Sequence, residues 1–190
     1  MKKRHLVYAI ALIVGMGACA ASAKKQAEAK PDVWKSYNVG TVLFEDKASE
    51  TKGSDIYHRI IPDAESYIKE QARTVLATLY NSPEDSITPV NKIHYTLEDI
   101  EGISAKGGGN GDVTIFYSTR HIEKSFAEND TAKLFFETRG VLLHELTHAY
   151  QLEPQGIGSY GTNRVFWAFI EGMALATMKI VCRPHKCLSN

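Results

Sequence analysis

The sequence predicts an α+β domain: a small twisted sheet and one packing helix, followed by two apolar helices. Three observations predict it. Residues 39–45, 92–97 and 112–117 are short runs rich in Val, Ile, Thr, Tyr and Phe, the composition of strands. Residues 63–80 repeat apolar side chains at three- and four-residue steps, as a helix with one buried face does. Residues 138–152 and 165–181 are apolar segments of helical length, each with ionisable side chains set into it.

At 190 residues the chain is long enough for one domain with a real core. Its 44% hydrophobic and 23% charged content is ordinary for a globular protein. A formal net charge of +0 gives no basic signal, so no nucleic-acid partner is expected.

The first residues stand apart from that domain. Lys2, Lys3 and Arg4 form a positive start, and residues 6–16 form an apolar run too short to span a bilayer. Residues 1–23 therefore read as a signal peptide. Ala21-Ser22-Ala23 is a small-residue site for ordinary secretion. Met16-Gly17-Ala18-Cys19 looks like a lipobox, which would leave Cys19 as a lipid-modified N-terminus and a point of membrane attachment. The lipoprotein reading is preferred. Either cut removes three positive charges and leaves the mature chain at −3. Residues 24–37 read as a tether, beginning with a flexible stretch rich in Lys and Ala, and residues 38–190 as the folded domain.

Within the domain, residues 39–45 contain Thr-Val-Leu-Phe and form a first strand, and polar residues 46–55, with Gly53, form a loop. Asp63 caps the helix 63–80, whose buried face carries Ala64, Tyr67, Ile68, Ala72, Val75, Leu76 and Leu79. Residues 81–85 end it. A second strand spans 92–97. Residues 105–112 are glycine-rich, and Asn110-Gly111 between apolar runs signals a hairpin. No Gly-Lys-Ser/Thr follows, so this is not a phosphate loop. The third strand, 112–117, is a candidate edge strand for pairing with an extended substrate. Residues 118–130 are polar and irregular with a helical turn. His58, His94 and His121 are scattered and read as structural or surface side chains.

The segment 138–152 contains His144-Glu145-Leu146-Thr147-His148. Residues i and i+4 share a helix face, so His144 and His148 can point two imidazoles at one ion. Glu145 lies about 100° further round the helix. From there it can reach a water beside the metal without being a ligand. Zinc lowers the pKa of such a water to about 7, and a carboxylate can then take its proton. Val141, Leu142, Leu143, Leu146 and Ala149 argue for a buried helix, and buried histidines need partners.

A catalytic zinc site needs a third protein ligand and an open position. One known spacing puts a third His six residues after the second, with Gly at the third. Here Pro154 and Gln151 hold those places, which excludes that class. The other option is a Glu on a later helix. Glu171, in Phe166-Trp167-Ala168-Phe169-Ile170-Glu171-Gly172-Met173-Ala174, is a carboxylate in an apolar helix and needs a strong partner. Zn2+ is the expected cofactor. Residues 155–163 form a glycine-containing loop between the two helices, where Tyr160 is a candidate oxyanion stabiliser. Cys182 and Cys187 would lie in an oxidising compartment after export, and a small-loop disulfide between them is expected.

The stretches His144-Glu145-Leu146-Thr147-His148-Ala149-Tyr150-Gln151 and Phe169-Ile170-Glu171-Gly172-Met173-Ala174 resemble the basic secretory protein family. Ser118-Thr119-Arg120-His121-Ile122-Glu123 and Asp99-Ile100-Glu101-Gly102-Ile103 are similar to it as well, and the resemblance covers about residues 38–174. It implies a zincin-like fold in an exported or lipid-anchored zinc metallopeptidase of the gluzincin type, acting on a peptide or protein substrate. It also implies His144, His148 and Glu171 as metal ligands and Glu145 as catalytic base. The chain departs from the family at Leu175, where an Asp is expected, and its tail differs from there, as a truncated or frame-shifted end would. A carboxylate at that place would orient a ligand histidine, and its loss typically costs 10–100-fold in metal affinity or activity. An inactive relative that keeps the fold as a zinc- or peptide-binding surface protein is the alternative, and a surface binding module that never uses metal is a further rival.

Overall fold

The computed structural model describes residues 32–85, 89–125 and 131–182. The leader with Cys19, and Cys187, lie outside them. The fold is α+β. Among the described residues, five helices accompany a mixed four-stranded sheet. No described helix is long and apolar enough to cross a membrane.

The strands are β1 (Thr41–Asp46), β2 (Lys92–Glu98), β3 (Ser104–Gly109) and β4 (Asp112–Ser118), in the spatial order β1-β2-β4-β3. β1, β2 and β4 run parallel, and β3 is antiparallel to β4. Val42, Ile93, Tyr95, Leu97, Val113, Ile115 and Tyr117 alternate onto the covered face and are buried. The opposite face carries exposed Leu43 and the partly exposed His94 and Phe116.

The expected third strand is β4, but it cannot be an edge. β2 pairs with one side of it and β3 with the other. The edges of the sheet are β1 and β3, and β3 has the sequence Ser-Ala-Lys-Gly-Gly-Gly. Glycine is depleted in strands, so composition conceals this one. The Asn110-Gly111 turn is present, with both residues at positive φ, and it joins β3 to β4.

Two helices fill the connection from β1 to β2. α1 (Lys52–Ile60) takes the last part of the expected loop, residues 52–55, and runs on to Ile60. Thr51 caps it by accepting from the Ser54 amide, and only Ile56 and Tyr57 give it a buried apolar face. α2 (Ala64–Leu79) has the predicted cap at Asp63 and buries Ile68, Ala72, Val75 and Leu76. After β4 comes α3 (Thr119–Ser125), fuller than a single turn. Packing also begins early. Trp34, within the expected tether, is buried against Tyr37 in an edge-on contact at 5.2 Å.

α4 (Thr131–Tyr150) starts well before residue 138 and places its apolar side chains Leu142, Leu143, Leu146 and Ala149 in the core. Its end is pinned by Tyr150, whose hydroxyl donates to the Val39 carbonyl at 2.8 Å and whose carbonyl accepts from the Tyr80 hydroxyl at 2.6 Å. α5 (Arg164–Val181) begins at Asn163, which accepts from the amides of Val165 and Phe166. It packs on α4 where Gly140 meets Met178: a Cβ at Gly140 would stand 3.2 Å from the sulfur. α5 buries Phe166, Ile170, Ala174, Thr177 and Val181 and leaves Val165, Phe169, Leu175 and Ile180 exposed.

Candidate metal centre

The contact between α4 and α5 brings three donors together. His144 and His148 sit one turn apart on α4, and Glu171 lies two turns into α5. The two histidine Nε2 atoms are 3.0 Å apart. Glu171 Oε2 is 3.2 Å from Nε2 of His144, and its Oε1 is 3.5 Å from Nε2 of His148. Zinc bonds to nitrogen and oxygen of about 2.0–2.1 Å in a tetrahedron imply donor separations of roughly 3.4 Å. The three observed separations cluster around that value. His144, His148 and Glu171 form a group that could hold a metal ion.

Burial of this cluster is partial and its electrostatics are asymmetric. Burial pushes the His148 imidazole down to about 4, the His144 and Lys106 charges push the same way, and Glu171 opposes them. His148 is thus neutral at neutral pH, as a metal ligand must be. Glu145 is 6% exposed, and burial raises its pKa above the ordinary carboxylate range. The Ser104 hydroxyl and His144 oppose that rise, while the Glu171 charge reinforces it. A carboxyl group raised in this way is a stronger base than a free glutamate.

The donors open into a cleft of about 580 Å³. Ser104 and Lys106 of β3 line it, together with Glu153, Tyr160 and Trp167. Ser104 Oγ donates to Glu145 Oε1 at 2.5 Å. Tyr160, predicted as an oxyanion donor, reaches the cleft, where its hydroxyl donates to Glu171 Oε1 at 2.8 Å and accepts from Trp167 Nε1 at 3.1 Å. The Gln151 amide lies 2.9 Å from Nδ1 of His148.

Sequence reasoning found His144, Glu145, His148, Glu171 and Tyr160, and the fold brings all five to one cleft. It missed Ser104, hidden in a strand without strand composition, and it weighed Gln151 only as the place of an absent glycine. Gln151 carries a readable signal, since three- and seven-residue spacing from the histidines puts it on their helix face. The scattered histidines sit elsewhere, each beside a carboxylate: His58 with Asp46, His94 with Glu45 and His121 with Glu137. Leu175 is 44% exposed and does not line the cleft. Among the described residues, Nδ1 of His144 has no hydrogen-bond partner. Cys182 is buried in the core, and its expected disulfide with Cys187 lies outside the described residues.

Comparison with known proteins adds one finding. The model of the basic secretory protein family, described as "Peptidase of plants and bacteria", matches residues 39–179, well over half of the chain. No curated protein and no solved structure matches it.

Proposed function

The chain belongs to the basic secretory protein family, peptidases of plants and bacteria, and from that membership and the cleft geometry we propose that it is a zinc-dependent metallopeptidase. The observation that carries the reading is the convergence of His144, His148 and Glu171 at tetrahedral-edge distances beside the buried Glu145. Two imidazoles and one carboxylate are a three-ligand set that zinc accepts, with a position left open to the cleft. The mixed sheet with its antiparallel edge strand beside the histidine helix supports a zincin-like fold.

Zn2+, when bound there, supplies Lewis acidity that polarises a carbonyl and acidifies water. The remaining chemistry falls to the chain's own side chains. Ser104 occupies Oε1 of Glu145 and leaves Oε2 to work as the base. Glu145 takes a proton from the water that attacks the scissile carbonyl and delivers it to the amine as the C–N bond breaks. An extended peptide pairs with the free edge of β3, where residues 107–109 are glycines and offer backbone without side-chain obstruction. Tyr160 turns from Glu171 to the developing oxyanion. Residues 1–18 direct export and are cut away, and Cys19 anchors the mature chain in the cell envelope by its lipid. Fatty-acid labelling of the wild type, lost in Cys19→Ala, tests the anchor.

Elemental analysis of the purified mature chain tests the centre. About one zinc per chain, lost or weakened in Glu171→Ala, is the expected result, and a folded wild type without zinc refutes it. Glu145→Ala should then keep the metal and lose peptide hydrolysis. A second reading, a metal-binding relative without turnover, is favoured by Nδ1 of His144, which has no hydrogen-bond partner among the described residues, and by Leu175, which stands where a carboxylate would orient a ligand histidine. It predicts full zinc and no hydrolysis in the wild type.

A further inference from the structure

We propose that Gln151 is the positioning residue for His148: its side-chain oxygen accepts the proton on Nδ1 and so directs the Nε2 lone pair at the metal. The proposal rests on the metal-centre reading above. Gln151 is 5% exposed, lies just past the last turn of α4, and donates its backbone amide to the Thr147 carbonyl at 2.8 Å. Its side-chain amide touches Nδ1 of His148 at 2.9 Å, and its Oε1 is buried without a hydrogen-bond partner.

A neutral imidazole carries one proton, and the partner of one ring nitrogen decides which nitrogen holds it. If the amide NH2 faces Nδ1, it donates there and the ring proton sits on Nε2. Nε2 then points a hydrogen at His144 Nε2, 3.0 Å away, and cannot ligate. Turning the amide by 180° presents the oxygen to Nδ1–H in nearly the same volume, since the two amide ends have nearly the same shape. The proton then belongs to Nδ1 and Nε2 is free for the ion. Metal-ligating histidines commonly donate their other N–H to an oxygen in this way. His148 has such a partner within its own helix face, whereas His144 has none among the described residues. A residue that only filled space at 151 would need the shape of glutamine and not its oxygen.

The test is Zn2+ titration against a competing chelator for the wild type, Gln151→Leu and Gln151→Glu, with thermal unfolding of each metal-free protein as a control. Gln151→Leu should bind zinc 10–100-fold more weakly while unfolding at the wild-type temperature. Gln151→Glu, which keeps an accepting oxygen, should hold affinity within a few-fold of wild type. Proton and 15N spectra of the zinc-loaded wild type should show a His148 Nδ1–H protected from solvent exchange, and this decides the question alone if the leucine variant does not fold. Wild-type affinity in Gln151→Leu, equal losses in both variants, or a freely exchanging Nδ1–H overturns the proposal. A wild type that binds no zinc overturns both it and the reading on which it rests.

Discussion

The Ser104 hydroxyl donates to Oε1 of Glu145 across 2.5 Å and so ties the glycine-rich edge strand to the helix that carries both histidines. Backbone pairing holds this strand on one side only, through Ser104–Gly109 against β4. The same hydroxyl that anchors the edge also opposes the rise in pKa that burial imposes on the carboxylate.

Ser104→Ala removes a hydrogen bond that stabilises the charged form of Glu145. Such bonds are worth about 1.5–3 kcal/mol, and one pKa unit corresponds to about 1.4 kcal/mol. The Glu145 pKa, already raised by burial, should therefore rise further. The acid limb of the kcat/KM profile for peptide hydrolysis should move to higher pH, with zinc content unchanged. A profile that stays in place would show that Ser104 only fastens the strand.

The centre was more legible in the sequence than the sheet that serves it. His144 and His148 are fixed by one helical turn, and Glu171 announces itself as a carboxylate inside an apolar run, so local spacing places both helices. β3 is legible only through its partner. Its residues have no strand propensity, and pairing with β4 alone makes them a strand. α1 was hidden for a similar reason. Lys52–Ile60 holds two apolar core residues among polar ones, a face too short to stand out in the sequence, and the Thr51 cap and the contact with α3 support it. The electrostatics of His148 and Glu145 depend on Lys106 and Glu171, which are distant in sequence and meet only in the fold.

Zinc binding should raise stability, because its three ligands join α4 to α5. Binding to the folded state alone contributes about 2.7 kcal/mol at a ligand concentration 100 times Kd. Thermal unfolding with increasing free Zn2+ should shift Tm upward in the wild type and leave His148→Ala and Glu171→Ala unmoved. An equal shift in all three proteins would place the stabilising ion elsewhere.

Acid should weaken the metal-free fold through His148. Its folded pKa of about 4 lies below the ordinary histidine value of 6.5, so the unfolded chain binds the extra proton. Stability from this group is fully present above the unfolded pKa and is lost as pH falls from about 6.5 towards 4. The raised Glu145 pKa acts with the opposite sign, so the difference between wild type and His148→Gln isolates the histidine. Urea midpoints of the two metal-free proteins should converge as pH drops through that window. Parallel curves would mean that His148 titrates normally in the fold.

Two glycine substitutions should move stability in opposite directions. At Gly53 a Cβ would stand 2.2 Å from the Thr119 carbonyl oxygen, and backbone cannot swing aside as a flexible side chain can. Gly53 also donates its amide to Glu123 Oε1 at 2.8 Å, so forcing α1 away from α3 breaks that bond too. Gly53→Ala should cost about 1–3 kcal/mol by overpacking alone. At Gly172, inside α5, a Cβ would meet nothing within 4 Å. Gly172→Ala should therefore gain about 0.5–1 kcal/mol from the backbone entropy that glycine loses in a helix. Urea unfolding of both variants checks the pair. Equal destabilisation by the two would mean that a partner covers the outer face of α5 at Gly172, and a neutral Gly53→Ala would mean that α1 packs on α3 less closely than its backbone contacts require.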